Sequence, residues 1–279
     1  MFENRLLDLV RTSPRETDGP VPERETGRYT KEGFVISESG RRYRVRDGYL
    51  DLLGPGRVVG SNIANLSNYL PGAGAGYEPL WRVRSLSLLT GEEFSNEREM
   101  DLVFDLANLK GGGVFLDLGC SAGLYTRNAA RRLGADGYAA GGVIGVDLAP
   151  SMLKEAVKKA GEAGVSPSFV RADAERLPFA DNSFAGAVCG GTLNELGDPA
   201  RVLRETARVL EPGGRLAVMG ILKAGTRNGL RLQRLLSAGG VSFFEPQKVA
   251  SMLDHAGFKA DPLVRFGPVF FVGASVRDG

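Results

Sequence analysis

The sequence predicts an α/β protein built on a parallel sheet with helices on both faces, and three observations carry that prediction. From Val114 onward, short apolar runs alternate with segments of helical periodicity, the pattern of strands buried on both sides and joined by crossover helices. Two junctions, Gly119-Cys120-Ser121-Ala122-Gly123 and Pro212-Gly213-Gly214, hold the small residues that sharp strand–helix turns need. The third is balance: 279 residues with 43% hydrophobic and 24% charged content suffice for one large domain with an appendage, and exclude disorder as the main state.

Residues 1–55 read as a small β-rich module. Pro14, Pro20 and Pro22 stand among charged residues, and Arg42 to Leu50 then alternate large and charged residues around an Asp47-Gly48 turn signal, which suits short hairpins. Residues 56–110 read as a helical cap. They combine the Gly-rich stretch Pro71 to Gly76 with a helix expected over Ser95–Leu109, on which Met100, Val103, Phe104 and Ala107 share one apolar face. Residues 111–279 form the main α/β domain. Its expected strands are Val114–Leu118, Val143–Val146, Ser168–Ala172, Phe184–Cys189, Arg215–Ile221, Phe258–Val264 and Val269–Val276. Between the fourth and fifth lies a well-marked helix: Asp198 caps it, Pro199 sits where a missing N–H costs nothing, and Val202, Leu203, Thr206, Val209 and Leu210 make one stripe. A late helix is expected over Pro246–Ala256.

Composition excludes several function classes. A formal net charge of +2 provides no overall polybasic field for nucleic acid or membrane surfaces. The longest apolar runs fall short of the ~18 residues that span a bilayer. The first residues carry an acid where a signal peptide wants positive charge, so a cytoplasmic protein is expected. Two cysteines and one histidine cannot supply the four ligands of a structural zinc site, so no metal is expected. The 39 glycines are roughly twice the average usage, and their positions are informative.

Val114 to Thr126 reads as an apolar strand, a glycine-containing turn and a helix start. Small residues there let a ligand approach the backbone, and the helix N-terminus offers free N–H groups. A dinucleotide fold would want G-x-G-x-x-G, but counting from Gly119 the second and third positions are Ser121 and Leu124. NAD and FAD therefore fit poorly.

Asp117-Leu118-Gly119-Cys120-Ser121-Ala122-Gly123 resembles the first motif of the class I S-adenosylmethionine-dependent methyltransferases, an acid followed by G-x-G-x-G, with Ser121 replacing the middle glycine. Further segments match in order. Val143 to Leu153 resembles the strand ending in an acid, Asp147, which stands 24 residues past Gly123, near the ~20-residue interval at which a carboxylate meets ribose hydroxyls. Arg171 to Phe179 resembles the next motif, Asp181-Asn182-Ser183-Phe184 the turn into the fourth strand, and Leu203 to Leu216 the helix, Pro-Gly-Gly turn and fifth strand. Ala185 departs from the family, which usually has an aspartate there.

The resemblance covers roughly residues 110–276. It is strongest to the small-molecule methyltransferases of the type 11, quinone-methyltransferase-like group. It implies a Rossmann-like seven-stranded sheet in the order 3-2-1-4-5-7-6, with S-adenosylmethionine as cofactor and S-adenosylhomocysteine as product. The cofactor-binding residues it implies are Asp117, Gly119, Cys120, Ser121 and Gly123 around the loop, then Asp147, Leu148 and Met152 on the ribose and adenine side. Ala172, Asp173 and Ala174 follow, with Asp173 accepting from the adenine amino group, and Cys189 and Gly190 close the set at the end of strand four.

For the chemistry, Glu195 is the candidate base and Asn194 a candidate acceptor ligand, because both follow the strand end that would face the methyl group. Against this, Glu195 also reads as a solvated loop residue. Tyr77, Trp81 and Tyr125 are candidates for an acceptor-binding or lid role, with core packing as the alternative. Cys189 reads as buried packing and His255 as a surface residue. The N-terminal segment around Gly48 to Leu53 resembles a zinc-ribbon module that has lost its cysteines. The leading reading is methylation of a small-molecule acceptor at carbon, oxygen or nitrogen. An RNA methyltransferase and a non-catalytic binder of the cofactor are the alternatives; the lack of a basic surplus makes nucleic acid an unfavoured partner.

Overall fold

The computed structural model describes residues 10, 32–36, 42–54, 87, 89–90, 93–109, 113–135 and 142–277. Tyr77 and Trp81 lie outside the described residues.

The elements of the N-terminal part are β1 (Glu32–Ile36), β2 (Arg42–Arg46), β3 (Tyr49–Asp51) and α1 (Asn96–Leu106). There follow β4 (Phe115–Leu118), α2 (Leu124–Ala135), β5 (Val143–Asp147), α3 (Pro150–Glu162), β6 (Ser168–Arg171), β7 (Phe184–Gly190) and α4 (Pro199–Val209). The last are β8 (Leu210–Ile221), α5 (Arg227–Ala238), α6 (Pro246–His255), β9 (Phe258–Ala260), β10 (Val264–Phe266) and β11 (Val269–Val276). Short 3-10 turns lie at Ala174–Arg176 and Thr192–Glu195.

All the strands join one sheet in the order β1-β2-β3-β6-β5-β4-β7-β8-β11-β10, with β9 also paired to β11. The run β6-β5-β4-β7-β8 is parallel, and β11 returns antiparallel to β8. From β4 the chain crosses first to β5 on one side and later to β7 on the other. Such a reversal of direction is where open α/β sheets place a ligand crevice, at the C-terminal ends of the central strands.

The sheet has eleven strands, not the seven expected. The N-terminal meander continues it, because β3 pairs in parallel with β6 through Leu50↔Val170 and Asp51↔Arg171. Tyr49 and Leu50 are completely buried in that join. It is the edge of the main sheet and gives the zinc-ribbon resemblance no support. The single strand expected over Phe258–Val264 is split into β9 and β10, which pair with opposite ends of β11. Pro262, between them, has no N–H to continue a ladder.

Helix α4 forms where the sequence places it. Asp198 accepts from Arg201 N at 2.9 Å, and Val202, Leu203, Thr206 and Val209 are buried. The Ser95 hydroxyl caps α1 by accepting from Arg98 N at 3.1 Å. The α1 helix presses Met100, Val103 and Phe104 into the core with Phe94, Met219 and Phe271, directly beside β8 and β11. Truncating one such side chain to Ala would cost roughly 2–5 kcal/mol.

Candidate active site

The crevice at the switch point is built from four strand ends. Beyond β4 the chain turns sharply at Gly119 (φ +66°), Ser121 (φ +49°) and Gly123 (φ +77°) before α2 begins. Ser121, which stands where the resemblance wants glycine, adopts a left-handed conformation that costs a non-glycine residue about 1–2 kcal/mol. Its surroundings hold it there: Ser121 N donates to Asp147 Oδ2 at 2.8 Å, and its hydroxyl lies 3.4 Å from Met152 Sδ.

Asp147, at the end of β5, accepts a second backbone bond through Oδ1, from Ala149 N at 2.8 Å. Burial raises its pKa above the ordinary value, and the backbone amides oppose that rise. The carboxylate is partly covered and takes up a loop amide that a phosphate would need. Asp173, at the end of β6, accepts from Glu175 N at 2.9 Å through Oδ1.

Gly119 answers a second demand besides its dihedral. A Cβ there would lie 2.3 Å from Thr192 Oγ1, whose hydroxyl donates to the Gly119 carbonyl at 3.2 Å. The turn after β7 thus packs on the loop after β4. Gly123 is a packing glycine, since a Cβ would press on Ala156 and Phe169 at 3.0–3.2 Å.

The expected ligand set divides by accessibility. Gly119, Ser121, Asp147, Leu148, Asp173, Ala174 and Gly190 keep partial exposure around the crevice. Asp117, Cys120, Gly123, Met152, Ala172 and Cys189 are buried and support the crevice from beneath. Asp117 is 1% exposed and accepts from Thr126 Oγ1 at 2.5 Å, tying α2 to β4. It is a brace under the loop. Desolvation pushes the Cys120 thiol well up and the Cys189 thiol to about 12, so neither is a nucleophile near neutral pH.

After β7, Asn194 and Glu195 separate in role. Asn194 is 2% exposed; its amide donates to Ile221 O (2.8 Å) and Ser242 O (2.6 Å), while its oxygen accepts from Ile221 N (2.8 Å). Both of its N–H groups are engaged, which corrects the expectation of an acceptor ligand: Asn194 braces β8 and the loop after α5. Glu195 is half-buried beside the crevice. Desolvation, and secondarily the charge of Asp147, raise its pKa to about 7. A carboxyl poised there can exchange a proton near neutral pH.

Tyr125 lies against the C-terminal end of β7. A Cβ on Gly190 would fall 1.9 Å from its Cε2, so only glycine lets the ring lie against that strand end. Its hydroxyl donates to Glu99, which is 0% exposed on α1. Glu99 is a residue that sequence reasoning missed. The signal was present: it stands four residues before Val103, on the same helix face as the apolar residues.

Residues 116–218 match the model of a family described as "Methyltransferase domain". The chain is 38% identical over 112 residues to the 2-phytyl-1,4-naphtoquinone methyltransferase of Nostoc punctiforme, covering 39% of this chain and 47% of that protein. It is 34% identical over 134 residues to the methyltransferase GfsG of Streptomyces halstedii, covering 47% and 46%. The chain thus spans about half the length of the curated relatives it matches. Among solved structures, a SAM-dependent methyltransferase from Aquifex aeolicus superposes with a TM-score of 0.52 at 24% identity, covering 64% of this chain and 89% of that one. The "Phospholethanolamine N-methyltransferase 2" of Haemonchus contortus superposes with a TM-score of 0.58 at 15% identity, covering 78% and 59%. Residues 116–218 are thus similar to a methyltransferase domain, and the fold is one shared with solved methyltransferases.

Proposed function

We propose that the protein transfers a methyl group from S-adenosylmethionine to a small-molecule acceptor. The observation that carries the proposal is the pairing of Ser121 N with Asp147 Oδ2 at the switch point. A carboxylate in the loop favours a nucleoside with free hydroxyls and no phosphate, which is the chemistry of this cofactor. Asp147 would accept from the ribose hydroxyls, Leu148 would pack on the adenine, and the free oxygen of Asp173 would accept from its amino group.

The cofactor supplies a methyl carbon already activated by its sulfonium, so the protein's main task is to hold donor and acceptor in line. Tyr125, buried in the core, takes its packing alternative and backs the Gly190 strand end, and Glu195 takes the acceptor's proton. The match to a naphthoquinone methyltransferase supports an acceptor of quinone-like, lipophilic type. The reading divides the chain into an N-terminal module (1–55), a cap (56–110) and the catalytic domain (111–279).

Tritiated methyl transfer into a cell lysate, split afterwards into RNA and small-molecule fractions, tests this. Label is expected in the small-molecule fraction. Label confined to RNA would establish the RNA reading, and cofactor binding without any label would establish the non-catalytic one.

A further inference from the structure

We propose that α5 docks this protein onto an anionic lipid surface, independently of the reaction assigned above. A helix on a globular protein normally turns its apolar stripe inward. The α5 helix does the reverse. Its buried side chain is Gln233, whose amide donates to Leu222 O at 2.9 Å and whose oxygen accepts from Ala224 N at 2.8 Å. Leu232, Leu235 and Leu236 face outward, 56%, 72% and 42% exposed. Their i, i+3, i+4 spacing puts them on one face.

Arg227, Arg231 and Arg234 follow i, i+4, i+7 spacing on the adjoining face, all exposed, and no acid lies on the helix. Leucines flanked by arginines are the arrangement of a helix lying in a membrane interface, with its apolar side in the acyl boundary and its cations at the headgroups. The chain's net charge of +2 conceals this local concentration. No described helix is long and apolar enough to cross a membrane, so the contact would be peripheral.

Charge selects the occupant. A second copy seated on the same face would bring the two sets of arginines together, which is repulsive. Residues 56–86 of this chain carry Arg57, Arg82 and Arg84 against the single acid Glu78, so they offer no complement. An anionic bilayer complements both the apolar and the cationic face. The loop after α5 is held to the turn after β7 by the bond from Ser242 N to Asn194 O, 2.7 Å.

Co-sedimentation of the full chain with phosphatidylcholine vesicles, with and without phosphatidylglycerol, tests the proposal. Binding is expected to the anionic vesicles and to weaken with added salt. The double variants Leu232→Ser/Leu235→Ser and Arg231→Glu/Arg234→Glu should each bind at least about tenfold more weakly. Because these positions are exposed, their melting temperatures should match wild type. Absence of binding, or variants that bind like wild type, would overturn the proposal. So would a dimer in sedimentation velocity that the leucine variant converts to monomer, which would assign the face to a second copy.

Discussion

Arg171 and Asp51 face each other across β6 and β3 as a buried ion pair, with Arg171 Nη1 3.3 Å from both carboxylate oxygens. The same guanidinium donates to Gly54 O at 2.9 Å and, through Nε, to Leu148 O at 3.1 Å. One side chain thus holds the N-terminal meander and the loop beside Asp147 together. The pair is 4–5% exposed, so removing one charge leaves the other stranded in the interior. Asp51→Asn should destabilise the protein by about 3 kcal/mol in urea unfolding. Because Leu148 is held by the same arginine, the variant should also bind S-adenosylhomocysteine more weakly. Wild-type stability would show that the meander is not anchored by this pair.

Gly190 and Tyr125 form a second coupled pair. Gly190→Ala should cost roughly 1–3 kcal/mol, because the added methyl must displace the tyrosine ring. The cost should vanish in a Tyr125→Ala background, giving a coupling energy of similar size in a double-mutant cycle. Simple additivity of the two substitutions would place the ring elsewhere.

Glu195 makes stability and activity depend on pH. Its folded pKa of about 7 lies above its ordinary value of 4.5, so between these values the folded state keeps a proton that the unfolded state has lost. Stability should therefore fall as pH rises through this window, and Glu195→Gln should flatten the slope in melting temperature. If Glu195 is the base, kcat/KM should rise with pH to a plateau above about 7. The glutamine variant should be slow throughout while keeping wild-type affinity for the cofactor. A variant with the wild-type rate would remove Glu195 from the reaction.

The strand ends around the crevice were legible because their signals are local. An apolar run, glycines at the turn and an acid at the strand end lie within a few residues of one another, as at Leu118–Gly123 and Val143–Asp147. The helix from Asp198 was legible for the same reason. What the sequence concealed depends on contacts between distant segments. Asn194 is a brace because Ile221 and Ser242 come to it, and Glu99 is buried because Tyr125 meets it across two helices. The join of β3 to β6 spans 120 residues of chain between Asp51 and Arg171, a distance no periodicity reaches. Ser121 departs from the motif's glycine, and the fold still places it in the left-handed turn, supported by Asp147 and Met152.

In the proposed function, Asp147 holds the ribose of S-adenosylmethionine. Isothermal calorimetry of wild type and Asp147→Ala with S-adenosylmethionine tests it most directly. Losing two hydrogen bonds to a charged acceptor, at about 1.5 kcal/mol or more each, should weaken binding at least roughly a hundredfold, in a variant shown by its melting curve to be folded. An affinity equal to wild type would remove Asp147 from the cofactor site.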